Sequence, residues 1–272
     1  MRVPIKYKLA SIVAIILIPL LLTAGRQYLT AFEARHAAIE AETRSQADSI
    51  ARVIDQEILS SFRIAETLTN HPAFINHDTP SCDRLAARLI QRFDNHLNIL
   101  AADMAGNNYC SAIKPVEAHR LNYMDKEWFT RAAAGERVVG DMHLSKLFKS
   151  PSVMISLPIR NARDKQVGVI GFPLDLNKVS AYLTGISHLP KGAVLLVVDN
   201  KSVLLIDSLH PEHVGEKISS PLMRAHLNSD ASGLFSEISL DNKQRLFGYA
   251  TVSQSGWKVL VGYPSSDARH AA

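Results

Sequence analysis

Residues 152–176 read SVMISLPIRNARDKQVGVIGFPLDL, and this stretch decides the fold. Ser152 to Arg160 and Val167 to Leu176 are two apolar runs rich in Val, Ile, Leu and Phe. Such residues suit a pleated, half-buried surface. Between them Asn161, Ala162, Arg163, Asp164 and Lys165 form a polar turn that folds one strand back on the other. Antiparallel strands joined by short turns make a meander, whose apolar face must be covered by another layer.

The flanking sequence extends that sheet on both sides. Leu97 to Asp103 is predicted as a strand, Ala105-Gly106-Asn107-Asn108 as its turn and Tyr109 to Ala112 as the return. A helix is expected over Cys82 to His96, with Leu85, Leu89 and Phe93 in register, and another over Asp125 to Ala134, closed by Gly135. Asn177 to Leu189 reads as a helical connector. A second unit begins near Pro190. Ala193 to Val198 and Ser202 to Asp207 flank the turn Asp199-Asn200-Lys201, and a helical or irregular stretch covers Val214 to Leu227. Gly233 to Leu240, Arg245 to Val252 and Trp257 to Tyr263 are three more strands. Each unit runs hairpin, helix, then meander, a weak internal repeat.

Upstream, Gln27 to Asn70 contains neither proline nor glycine. Ile39, Ile50, Ile54, Ile58, Phe62, Ala65 and Leu68 recur mostly at three- and four-residue spacings, one apolar stripe along a helix. At full extension that helix spans about 65 Å. It reads as a stalk whose far half packs on a domain and whose near half pairs with a second copy. His71-Pro72 ends it, because the residue before proline avoids helical dihedrals.

Arg2, Lys6 and Lys8 precede an uncharged run from Leu9 to Ala24, LASIVAIILIPLLLTA. It rises roughly 24 Å as helix, short of a hydrocarbon core about 30 Å thick. Cleavage after Ala24 would put bulky Leu22 at the −3 position, where a small residue is needed. An uncleaved signal anchor is therefore expected over a cleaved signal peptide. Its basic start directs everything after residue 26 out of the cytoplasm, from a bacterial inner membrane.

The 272 residues carry a net charge of +4, with basic and acidic residues interspersed and no run of like charge. Nucleic-acid binding is excluded as a leading reading. Cys82 and Cys110 are the two cysteines of an exported chain, so a disulfide is expected, with two buried thiols as the alternative.

The layout resembles the double Cache, PAS-like sensor domain of bacterial receptors. Three segments carry the resemblance: Tyr123-Met124-Asp125-Lys126-Glu127-Trp128-Phe129; Ser152 to Pro158 with Gly168-Val169-Ile170-Gly171; and Gly256-Trp257-Lys258-Val259. Asp103-Met104-Ala105-Gly106 leading to Cys110-Ser111 is most similar to sensor regions ahead of diguanylate cyclases and histidine kinases. The resemblance implies an α+β fold. Residues 1–26 would be the anchor, 27–70 the stalk, 71–189 a membrane-distal unit, 190–264 a membrane-proximal unit and 265–272 a tail. In such receptors a second membrane helix would follow, and no kinase, cyclase or methyl-accepting segment lies in the 272 residues.

A ligand site is expected in the distal unit. Trp128 and Phe129 offer flat apolar walls, Tyr123 a hydroxyl and Lys126 a cation, with Asp141, Lys146 and Lys149 close by. Polar groups converging among aromatics suit a small molecule, and an ammonium favours a carboxylate. Amino-acid-binding members of the family place arginine at the position of Lys126 and an aspartate on the strand Val167 to Leu176. Here Pro173 stands at that place and Asp175 two residues on, so an organic anion lacking an amine fits better. His210-Pro211-Glu212-His213 is a poor metal pair, because Pro211 breaks the helix that would align the rings. No Gly-x-Ser-x-Gly and no phosphate-cradling loop occurs, so neither an enzyme nor a cofactor is expected. The expected function is a membrane-anchored sensor whose ligand alters a stalk-helix dimer. The alternative is a stand-alone anchored module that captures a solute or protein.

Overall fold

The computed structural model describes residues 5–114, 121–145, 147–187, 189–228 and 232–264, and within these the side chains of all but residues 5–16, 18 and 19. The chain opens with one unbroken helix, α1 (Ile5–Thr69), which contains both the expected anchor and the stalk. The anchor itself is not shown: among the described residues no helix is long and apolar enough to cross a membrane.

Helix α1 stops where proline demands it. His71 takes an extended conformation and accepts a hydrogen bond at Nδ1 from the Ala73 amide, capping the short α2 (Pro72–Ile75). Asp78 caps α3 (Thr79–Ile90) in the same way, through the Ser81 amide. The first sheet then forms from β1 (Leu100–Asp103), β2 (Asn108–Ser111), β3 (Val138–Leu144), β4 (Pro151–Arg160) and β5 (Gln166–Asp175), with α4 (Glu127–Ala133) between β2 and β3. Helix α5 (Leu176–Ile186) leads into the second sheet. That sheet contains β6 (Val194–Val198), β7 (Leu204–Asp207), β8 (Gly233–Ile238), β9 (Gln244–Thr251) and β10 (Lys258–Pro264), with α6 (Pro221–Leu227) before β8.

The two sheets share one plan. The first has the order β2-β1-β5-β4-β3 and the second β7-β6-β10-β9-β8, the same order strand for strand, and every pair is antiparallel. The weak repeat in the sequence is thus a repeated topology. The hairpin of residues 151–175 pairs Ser152 with Asp175, Ile155 with Phe172 and Leu157 with Ile170.

Two elements differ from expectation. Strand β3 was not anticipated: its pairing to β4 shifts register between Val139 and Met142, and that bulge breaks the period-two pattern a strand needs to be read. The helix expected over Cys82 to His96 starts earlier and stops earlier, as α3, and residues 91–95 form turns. The stretch Val214 to Leu227, expected as helical or irregular, is both: a 3-10 turn at Pro211–His213 precedes it, Gly215 takes φ 98°, and α6 starts only at Pro221.

Strand periodicity sorts side chains into two layers. Val153, Ile155, Leu157 and Ile159 of β4, with Ile170, Phe172 and Leu174 of β5, face a core that contains Ile50, Ile54, Ile58, Phe62, Ala65 and Leu68 of α1. Leu195, Val197, Ala250, Val252, Val259 and Val261 of the second sheet belong to the same core. One helix therefore serves both sheets. Polar links reinforce it: the Gln254 amide donates to Asp55 at 2.8 Å, and Arg137 pairs with Glu66 at 3.0 Å while its guanidinium lies 4.1 Å from the Phe62 ring centroid.

Cys82 and Cys110 are bonded, with Cα atoms 5.7 Å apart, pinning α3 to β2. Cross-linking across 28 residues is worth roughly 3 kcal/mol in the chain-entropy model. Denaturant unfolding of Cys82→Ala/Cys110→Ala should show a loss of that order, and unchanged stability would contradict a structural bridge.

His96 is buried between α1 and β5, its Nε2 2.8 Å from Ser61 Oγ and its ring 4.1 Å from that of Phe172. Burial, aided by Lys178, lowers its pKa from 6.5 to about 3. As pH falls the unfolded chain takes up this proton first, so stability declines below about pH 6.5 and the decline levels off near 3. The loss at pH 5 is about 2 kcal/mol. His96→Gln should flatten the acid limb of a plot of Tm against pH.

Candidate functional site

The other face of the first sheet carries a mixed set of small and large residues. On β4 these are Ser152 and Met154, on β5 Gly171 and Pro173, on β1 Leu100. A cavity of about 480 Å³ lies over this face, closed by the N-terminal end of α4, the loop before it, β3 and the segment after β3. Leu100, Leu121, Trp128, Met142, Leu144, Leu147, Phe148, Met154 and Pro173 supply apolar wall. Tyr123, Lys126, Asn98, Asn122, His143 and Ser152 supply polar atoms, and Asp125, Glu127 and Asp141 carboxylates. Gly171 lets Leu100 and Met154 close over the sheet beneath the cavity: a Cβ there would sit 2.9 Å from Leu100 Cδ1 and 3.0 Å from Met154 Sδ.

The loop that carries Tyr123 is docked on the β1–β2 turn. Gly106 adopts φ 79° and its carbonyl accepts from the Tyr123 amide at 2.9 Å. A Cβ on Gly106 would strike Met124 Cγ at 2.6 Å, so this turn needs glycine. Asn122 adds three bonds, donating to the Ala105 carbonyl at 2.9 Å and to Asn107 Oδ1 at 3.0 Å and accepting from the Met124 amide at 2.9 Å. Trp128 follows as the second residue of α4, its ring centroid 5.1 Å from that of Tyr123.

Electrostatically the cavity rim is a set of ion pairs. Lys126 Nζ lies 2.5 Å from Asp125, Arg131 reaches Glu127 at 2.7 Å, and Lys201 of the second sheet reaches Asp141 at 2.5 Å. Asp141 holds the Lys201 ammonium above its usual pKa. Burial pushes the Tyr123 hydroxyl up to about 12, against a hydrogen bond from Asn108, so it enters the site neutral. Burial also depresses His143, with Lys126 adding to the effect and a hydrogen bond to the Asp141 carbonyl opposing it. His143 Nε2 lies 3.4 Å from Ser152 Oγ.

Four of the expected site residues, Tyr123, Lys126, Trp128 and Asp141, line this one cavity. Phe129 does not; it is fully buried behind Trp128, packed with Leu100, Ala102, Val138 and Val169. Lys149 is exposed at φ 53° on the turn before β4 and is not part of the lining. Lys146 lies outside the described residues. Pro173 does line the cavity, whereas Asp175 is spent as the cap of α5, accepting from Ser150 Oγ at 2.7 Å and the Asn177 amide at 3.0 Å. His143, Ser152 and Met154 were missed. The alternation of β4 could have found the last two, because Ser152 and Met154 lie opposite its continuous apolar face. His210 and His213 sit beside Glu212 and Asp207, and among the described residues no three His, Cys, Asp or Glu side chains could hold a metal.

The fold is a two-sheet α+β domain built on one long helix, with a cavity on its first sheet. The Cache domain model matches residues 33–272, and the chain belongs to that family. Solved structures share the fold. The ligand-binding domain of the Pseudomonas fluorescens chemoreceptor CtaA, in complex with L-isoleucine, aligns at TM-score 0.68 and 13% identity, covering 90% of this chain and 99% of that one. The extracellular domain of a candidate histidine kinase, rpHK1S-Z16, gives 0.67 and 17%, covering 90% and 98%. The ligand-binding domain of Campylobacter jejuni Tlp3, in complex with L-valine, gives 0.58 and 17%, covering 88% and 97%. No curated protein matches the sequence.

Gly171 provides a direct test of the packing behind the cavity. Gly171→Ala should destabilise by about 1–3 kcal/mol, as overpacking does, when measured by chemical denaturation. Full stability would mean that Leu100 and Met154 do not meet over that residue.

Proposed function

We propose that the chain is the ligand-binding part of a membrane-anchored extracytoplasmic sensor, and that its ligand is a small organic anion with an apolar body. The cavity on the first sheet carries this reading: a mostly apolar chamber whose lysine, Lys126, lies beside a neutral tyrosine and a neutral histidine. Lys126 is paired to its own neighbour Asp125, and both are well exposed. Exposed pairs are worth about 1 kcal/mol or less. A ligand carboxylate can therefore replace Asp125 at the ammonium while its body fills the space among Trp128, Met154 and Pro173. With Asp175 engaged in capping α5, a ligand amine has no partner on β5.

In this reading residues 1–26 are the anchor, 27–70 the stalk, 71–189 the membrane-distal unit and 190–264 the membrane-proximal unit. The disulfide suits an oxidising compartment. The half of α1 before the sheets is largely exposed between residues 20 and 42, which leaves it available to a second copy. Ligand would shift the helix pair only by its differential affinity for two arrangements.

A thermal-shift screen against organic acids, amino acids, amines and nucleobases tests the reading. A ligand at 100 times its Kd stabilises by about 2.7 kcal/mol. A carboxylate hit that disappears in Lys126→Ala supports the anion site; hits confined to amines would contradict it. Protonating His143 brings a second positive charge into the cavity, so affinity for such a carboxylate should rise as pH falls below neutrality. His143→Gln should abolish that dependence in a titration series, and an equal slope in the variant would rule His143 out as its source.

A further inference from the structure

We infer that Lys201, on the β6–β7 turn of the second sheet, is a positioning residue of the first sheet's cavity: it holds Asp141 on the bulged wall strand β3, so the second unit braces the cavity wall. The inference rests on the cavity proposed above and adds a partner that the sequence gives no reason to place there, 60 residues along the chain.

Strand β3 is the edge of its sheet, paired only to β4, and its ladder is interrupted between Val139 and Met142. An edge strand with a bulge is the least constrained kind of strand. The two residues at that interruption that line the cavity, Asp141 and Met142, both meet the second unit. Asp141 takes the Lys201 ammonium at 2.5 Å. Met142 lies against Gly215, where a Cβ would come within 2.7 Å of Met142 Cε.

The turn behind Lys201 is held by hydrogen bonds. Asp199 Oδ1 accepts from the Lys201 and Val203 amides, both at 2.8 Å, and Ser202 takes φ 62° to close the turn. Asn200 donates to the Ser255 carbonyl at 2.9 Å, in the β9–β10 turn. That same turn is tied to α1 through the Gln254 amide and Asp55. A continuous set of contacts thus runs from the cavity wall to α1 and β10. By reciprocity, whatever this contact does for ligand affinity, a ligand does for the contact.

Hydrogen exchange of the ligand-free protein tests the positioning claim without any ligand. Lys201→Ala should speed exchange of the amides in Val138–Leu144 about two- to fivefold, the range an exposed ion pair can supply, and leave β1 and β5 unchanged. Lys201→Arg should restore protection. Unchanged exchange in β3 would overturn the claim.

Titration with the apolar, uncharged dye N-phenyl-1-naphthylamine reads the cavity separately, without a direct charge effect of either substitution. Its Kd should rise about two- to fivefold in Lys201→Ala and in Asp141→Asn, and no further in the double variant. Dye that binds the wild type and is excluded by a cavity-filling Met154→Trp, yet has equal Kd in Lys201→Ala, would overturn the coupling. Dye that ignores Met154→Trp sinks the cavity reading, while hydrogen exchange in β3 still decides whether Lys201 positions that strand.

Discussion

The structure depends on burial of one stripe of α1. Ile50, Ile54, Ile58, Phe62, Ala65 and Leu68 are at most about one-twentieth exposed, and they share a core with the inner faces of both sheets. Each large apolar side chain removed from water contributes about 1.5–3 kcal/mol. Neither five-stranded sheet could leave the face that packs on this helix open to solvent, since a sheet with one apolar face must bury it. The helix is consequently the common wall of two units that otherwise repeat each other.

Repetition of topology makes the differences between the units informative. In the second sheet the face away from α1 is filled by Met223 and Leu227 of α6 together with Ile218, Phe235, Phe247 and Tyr249. In the first sheet the equivalent face is covered by α4, which brings Trp128 and Ala132 but reaches only part of it. Ser152 and Pro173 take remaining positions on β4 and β5, and the space above them is the cavity. A binding chamber thus arises on one of two similar sheets where these residues stand and the covering helix stops short.

Most of the fold was legible because its signals are local. The 152–176 hairpin, the α1 stripe, the Pro72 stop and the turns at Gly106 and Gly256 all follow from periodicity or backbone sterics within a few residues. Strand β3 was not legible, because its bulge scrambles the alternation that identifies strands. The site was half legible. Tyr123, Lys126 and Trp128 cluster in sequence as they do in space, whereas His143 and Ser152 approach from two strands paired in the tertiary structure. Phe129 shows the limit of reading aromatics in sequence: on one short helix Trp128 reaches the cavity and its neighbour points into the core. Lys201 could not have been placed by any local rule.

The claim that one helix joins two sheets into a single cooperative body is tested most directly by Ile54→Ala. Ile54 is 2% exposed within the shared core. Replacing it should lower global stability by about 2–5 kcal/mol, and hydrogen exchange should show that loss in the slowest amides of β4 and β5 and equally in those of β9 and β10. Loss of protection confined to one sheet, with the other unchanged, would contradict the account and make the two sheets independent bodies tied to a passive rod.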